Sequence, residues 1–257
     1  EMDTLADAAS PQELAALARR LDCASVAFTY NDPTVFMEYA IDVADACHEA
    51  GVKSVAVTAG YVCPGPREEF FRAMDAANVD LKAFTERFYR DVCGAELAPV
   101  LDTLVYLKRE TRVWLEITTL LIPGENDSNE ELDAMTRWIA ANLGPDVPLH
   151  FSAFHPDWKM TDRPPTPPAT LTRARDLARR NGLNYVYTGN VHDRAGGSTW
   201  CPGCDALLIE RDWYELGRWG LTPDGRCANC GLEVPGVFGE RPGTWGSKRL
   251  PVRVHRR

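Results

Sequence analysis

Four cysteines stand in two tight pairs near the C-terminus, Cys201-Pro202-Gly203-Cys204 and Cys227-Ala228-Asn229-Cys230, with 22 residues between the pairs. A CxxC pair places two sulfurs on one turn, and two such turns facing each other can surround a tetrahedral ion. Zn²⁺ prefers that closed thiolate set, and its binding can fold a ribbon too small to make a core of its own. Two disulfides or four free thiols would also account for these residues. The regular spacing and the CPxC and CxxCG turns favour a metal, zinc first and iron as the alternative.

A second set of chemistry-bearing residues recurs where apolar runs end. Thr29-Tyr30-Asn31-Asp32 closes one run and Thr58 the next. Asp80 and Lys82 are two apart, as are Glu116 and Thr118, so on strands each pair shares a face. His155 closes a later run. Taken singly, His155 reads equally as a structural histidine, and Asp80 with Lys82 as a plain salt bridge. In series they describe a cleft for a small zwitterionic ligand bearing hydroxyls. A carboxylate suits its amine, a lysine its carboxylate, and a threonine or histidine its ribose. No GxSxG elbow, GxxxxGK[ST] phosphate loop or GxGxxG fingerprint competes.

The elements that must position these residues alternate. Ser10-Pro11-Gln12-Glu13 is a capping box that opens a helix through about Leu21. Strands are expected at Ser25–Thr29, Ser54–Thr58, Val79–Lys82, Val113–Ile122, Leu149–Phe154 and Tyr185–Thr188. Helices are expected at Thr34–Ala50, Glu68–Ala76, Leu97–Glu110, from the Ser128-x-x-Glu131 box onward, and at Thr170–Asn181. Such alternation predicts an α/β fold, a parallel sheet covered by helices. Six strands suit a partial (β/α) barrel, in which functional residues gather at the C-terminal strand ends. The expected division is a partial barrel over 1–196, a tetracysteine zinc-ribbon-like module over 197–238 and a basic tail over 239–257. The Pro-rich loop Pro156–Ala169 reads as a lid or as a plain connector.

Composition bounds the rest. The chain has 257 residues, 37 acidic against 28 basic, and a formal net charge of −9, which argues against general nucleic-acid affinity. Arg241, Lys248, Arg249, Arg253, Arg256 and Arg257 make the basic tail, read as a solvated terminus. No apolar stretch is long enough to span a bilayer. Cys23, Cys47, Cys63 and Cys93 are scattered without framework spacing, which with a thiolate metal site favours a reducing cytoplasm.

The stretches SVAFTYNDPT, MDAANVDLKAF, VWLEITTLLIPGENDS, FSAFHPDWKM, YVYTGNVHD and the closing CPGC…CANCG, in that order and spacing, resemble the AmmeMemoRadiSam-system radical S-adenosylmethionine enzymes, relatives of the pyruvate formate-lyase activating enzyme. The resemblance implies a radical-enzyme barrel that cleaves S-adenosylmethionine reductively. The resulting 5′-deoxyadenosyl radical would abstract hydrogen from an unknown small-molecule or protein substrate, with an external electron donor. It implies that Tyr30, Asn31 and Asp32 occupy the turn meeting the methionyl amine, with Asp32 in place of a glutamate. Asp80 and Lys82 would help hold the amino-acid end, with His155 near the adenosine. Thr118, from the strand-end series, is a further candidate ligand contact. Thr58 begins a TAGY turn where relatives show TNGY.

The chain departs from that family in lacking a CxxxCxxC motif, whose three thiolates would carry a [4Fe–4S] cluster. In the family it would lie just before residues resembling Glu1-Met2-Asp3. The expectation is therefore a C-terminal portion of a longer protein, inactive alone. Four ligands in two CxxC pairs make a closed site and do not substitute. The alternative is a non-catalytic α/β scaffold whose ribbon docks a protein or nucleic acid through Trp200, Trp213, Trp219, Trp245 and the basic tail.

Overall fold

A computed structural model of the chain describes residues 8–157, 159–252 and 254. Glu1–Asp3, Trp158 and Arg253, Arg256 and Arg257 of the basic tail lie outside the described residues. Six strands form one parallel sheet in sequence order: β1 (Ser25–Phe28), β2 (Lys53–Thr58), β3 (Ala76–Asp80), β4 (Trp114–Leu121), β5 (Leu149–Ala153) and β6 (Val186–Gly189). A second, antiparallel sheet holds β7 (Thr199–Trp200), β8 (Leu207–Asp212) and β9 (Glu215–Trp219). The predicted α/β class and six-strand count hold. Among the described residues, no helix is long and apolar enough to cross a membrane.

Contacts divide the chain into two compact units, one within Glu1–Asp80, Pro99–Leu115 and Arg249–Arg257, the other within Leu81–Ala98 and Glu116–Lys248. In the first, α1 (Pro11–Arg20) starts on the complete Ser10–Glu13 capping box. α2 (Met37–Glu49) buries Ala40, Val43, Ala44 and Cys47, and α3 (Pro64–Arg72) buries Phe70 and Phe71. α3 begins four residues earlier than the polar composition suggests. Pro64 supplies the pre-set φ of a first helical turn, where its missing N–H is not needed. α5 (Leu97–Glu110) buries Leu104 and Leu107.

In the second unit, β4 and β5 alternate cleanly between one buried face, with Ile117, Leu121, Leu149 and Phe151, and one half-exposed face. The buried face is of the kind helices cover, and α6 (Asn129–Leu143) and α7 (Pro168–Arg180) each bury one stripe: Leu132, Met135, Ile139 and Leu143 on α6, Leu171, Ala174 and Ala178 on α7. The Ser128 box is only half made. Ser128 Oγ accepts from Glu131 N at 3.2 Å, but the Glu131 carboxylate turns away to accept from Phe84 N at 2.7 Å. Between β3 and α5 the sequence reading placed no element. The chain there forms a helical turn, α4 (Glu86–Phe88), and a π-helical turn, Tyr89–Cys93, ended by left-handed Gly94.

Candidate functional site

At the C-terminal ends of β1 and β2 one carboxylate organises two turns. Asp32 follows Tyr30, which sits at φ +70° and is almost wholly exposed. Asp32 Oδ1 accepts from Thr34 N (3.0 Å) and Thr34 Oγ1 (2.9 Å), capping the turn Pro33–Phe36. Thr58, buried at the end of β2, donates Oγ1 to both Asp32 oxygens (2.9 and 3.0 Å), and Ala59 N donates to Oδ2 at 2.7 Å. A carboxylate offers about four lone-pair positions, and these four donors occupy them. Thr58 Oγ1 also accepts from Gly60 N at 3.1 Å. Asn31 is exposed, and Asp80, half-buried, ends β3.

In the second unit Lys82 lies two residues beyond the end of β3, not within a strand as expected. Its backbone leaves the ladder for side-chain partners. Lys82 N donates to the buried Tyr89 Oη at 3.1 Å, and its carbonyl accepts from Asn126 Nδ2 at 2.6 Å. Asn126, fully enclosed, also donates to Leu120 O and accepts from Ile122 N, pinning the turn after β4. The π-helical turn thus places Tyr89, and the Gly-Glu-Asn turn places Asn126, around one backbone position.

Thr118 lies on the half-exposed face of β4, beside His150 of β5 in register, and His150 lies beside Tyr187 of β6. His150 Nε2 and Glu116 Oε2 are 2.8 Å apart, and the imidazole stacks on the Tyr187 ring with centroids 4.9 Å apart. Burial pushes the Tyr187 phenol up. Sequence reasoning passed over His150, Tyr187 and Asn126. The period-two alternation in LHFSA and VYTG was the available signal for the first two. His155, in contrast, is exposed and pairs with Asp157 at 3.2 Å. The Pro-rich loop beyond it is fastened, with Thr166 bonded to both Phe154 and Leu121 and Arg163 to Glu125.

The four ribbon cysteines come together. Their sulfurs all lie within 4.8 Å of one another, with Cys201–Cys230 at 3.6 Å and Cys204–Cys227 at 3.7 Å. Zn–S bonds of about 2.3 Å put the corners of a tetrahedron about 3.8 Å apart, so the set fits such an ion. Their surroundings lower the Cys204 and Cys227 thiols and raise Cys201 and Cys230. The Asn229 amide, 3.3 Å from Cys204 Sγ, helps hold that thiol down at about 6. The Cys230 N–H helps lower Cys227, while burial pushes Cys201 up to about 12. Of the ribbon tryptophans, Trp213 is largely exposed, whereas Trp200 and Trp219 are half-buried.

Comparison with known proteins bears on these features. The sequence pattern of the Radical SAM superfamily matches residues 2–138. An uncharacterized protein of Methanocaldococcus jannaschii is 40% identical over 226 residues, covering 88% of this chain and 67% of that protein. The benzylsuccinate synthase activating enzyme of Thauera aromatica is 27% identical over 134 residues, covering 51% of this chain and 39% of the enzyme. In fold, a domain of pyruvate-formate lyase-activating enzyme from Bacteroides vulgatus is similar at TM-score 0.57 and 17% identity, covering 65% of this chain and 99% of the domain. Streptococcus suis SuiB, crystallised with S-adenosylmethionine, is similar at TM-score 0.58 and 14% identity, covering 73% of this chain and 45% of SuiB. With the pattern spanning more than half of its residues, the chain belongs to the Radical SAM superfamily.

Proposed function

We propose that this chain binds S-adenosylmethionine for radical chemistry of the AmmeMemoRadiSam type. The observation that supports this most is the Asp32–Thr58–Ala59 knot, which fixes a polar turn at the C-terminal ends of two parallel strands, where α/β enzymes bind ligands. On the resemblance, the ligand's amine meets the turn of Tyr30, Asn31 and Asp32. Asp80 and Lys82 serve its amino-acid end and His155 its nucleoside, and Thr118, on the half-exposed face of β4, is a further candidate contact. The radical chemistry belongs to the ligand and an iron–sulfur centre, while the protein binds, orients and shields.

The residues present do not fit that centre. Outside the ribbon, Cys47 is buried and Cys23, Cys63 and Cys93 are exposed, and no three of them gather among the described residues. The ribbon sulfurs form a closed set of four. We assign the ribbon, over 197–238, a structural zinc. The substrate is a small molecule or a protein, the electron donor is external, and a reducing cytoplasm suits the thiolates. A version carrying a CxxxCxxC loop ahead of residue 1, reconstituted without oxygen, should show broad absorption near ~400 nm and cleave S-adenosylmethionine. Reconstitution without cleavage would contradict this reading.

A further inference from the structure

The polar face of β4–β6 and the cysteine ribbon belong to one compact unit, and one hydrogen bond joins them. Tyr187 Oη and Thr199 Oγ1 are 3.1 Å apart. Thr199 opens the ribbon's first strand, two residues before Cys201, and is itself buried. On its other side the Tyr187 ring lies against His150 with an interplanar angle of 22°. Glu116 fixes that ring from the edge, because an ionised carboxylate only accepts and Nε2 must then donate. Nδ1 makes no hydrogen bond among the described residues.

Further contacts hold the ribbon to the end of β6. Asp193 caps the turn α8 (Arg194–Gly197) and accepts from Thr188 Oγ1 at 3.0 Å. Gly196 is required there, since a Cβ would stand 2.2 Å from the Thr188 hydroxyl. Arg194 reaches Glu210 at 2.8 Å, and His192 reaches Asp212 at 2.9 Å, both on β8. Trp200 Nε1 donates to Ala195 O at 3.0 Å. Tyr185, just before the strand, packs in the same apolar cluster as Cys201, Leu208, Ile209 and Cys227.

We propose that Tyr187 is a positioning residue through which the metal-loaded ribbon sets the His150 imidazole on the strand face. The inference rests on the metal reading of the four cysteines. Metal binding fixes Cys201, Cys201 fixes Thr199 in the ribbon's first strand, and the Thr199 hydroxyl fixes the Tyr187 phenol. Tyr187 and Glu116 then hold His150 with Nδ1 presented to a bound polar molecule. The ribbon's place in this account is that of a brace for a distant polar group.

The test follows the histidine signals of the full chain by NMR, with and without one equivalent of Zn²⁺, His150 being assigned through His150→Gln. Zinc should move the His150 signal and slow amide exchange over 186–197 by about five- to tenfold, the worth of roughly one net hydrogen bond. Tyr187→Phe keeps the stack but removes the hydroxyl, and Thr199→Val removes its partner. Both should still take up zinc, yet lose its effect on His150. A His150 signal indifferent to zinc in the unaltered chain, or one that still responds in Tyr187→Phe, overturns the proposal. If the chain takes up no zinc, the metal reading fails by itself. The link is then judged on the two substitutions, and an unmoved His150 signal in both overturns it.

Discussion

Thr58 Oγ1 straddles the Asp32 carboxylate, 2.9 Å from one oxygen and 3.0 Å from the other, and so joins turns whose residues are 26 positions apart. The contact is the structural centre of the candidate ligand site in the first unit. It also explains why a threonine stands at a buried strand end where valine would suit the core.

Thr58→Val should therefore keep the shape and lose the fastening. A hydrogen bond to a charged group is worth about 1.5–3 kcal/mol, and urea unfolding of the variant should show a loss in that range. A loss confined to a few tenths would mean that water replaces the hydroxyl without cost.

Gly60 gives a sharper test of the same turn. It holds φ +68°, and a Cβ there would lie 2.8 Å from Val79 Cγ1, whereas Gly51 holds φ +75° with open space around it. Gly51→Ala should cost about 1–2 kcal/mol, the left-handed penalty alone. Gly60→Ala should cost more, because packing strain adds to it. Equal losses would show that the Val79 contact relaxes freely.

Acid stability should depend on Asp75, at the opposite, N-terminal end of the strands. Burial by itself would raise this carboxyl. Hydrogen bonds from Ser54 N, His48 and Lys53 outweigh burial and hold it at about 2. The folded pKa lies below the unfolded value of about 3.9, so the stabilisation is present above pH ~4 and is lost as pH falls toward 2. Asp75→Asn should remove that part of the acid transition, and thermal melts from pH 6 to pH 2 would show it. An unchanged pH profile would assign the acid sensitivity to other carboxylates.

Metal should be confined to the ribbon. The chain should take up one Zn²⁺, releasing protons as Cys201 and its neighbours ionise, and Cys227→Ser should abolish tight uptake. Chelation should increase exchange over 199–234 while the buried strands β2 and β4 stay protected. Intact mass lower by about two daltons per bridge, after isolation under reducing conditions, would indicate disulfides instead.

Much of the fold was legible because its signals are local. The β-branched run at Ser54–Thr58 and the alternation of Val113–Ile122 state their own strands, and the CxxC pairs state their own turns. The parts that escaped depend on distant partners. Glu131 reads as half of a capping box, yet its carboxylate is claimed by Phe84 N, 47 positions away. Lys82 reads as a strand residue, yet its amide is claimed by Tyr89. The π-helical turn that delivers Tyr89 has no propensity signature of its own. The candidate site divides in the same way. Asp32 and Thr58 were visible as polar strand ends, but that one would saturate the other's carboxylate was not. His150 was hidden in an alternating strand because its partner Glu116 lies 34 positions earlier.

The central claim, that the polar strand ends hold S-adenosylmethionine, is most directly tested by titration calorimetry of the 257-residue chain with that ligand. The account predicts saturable one-to-one binding, weakened at least tenfold by Lys82→Ala and by Asp32→Asn, in variants whose circular dichroism matches the parent. Absence of binding, or binding indifferent to both substitutions, would contradict it.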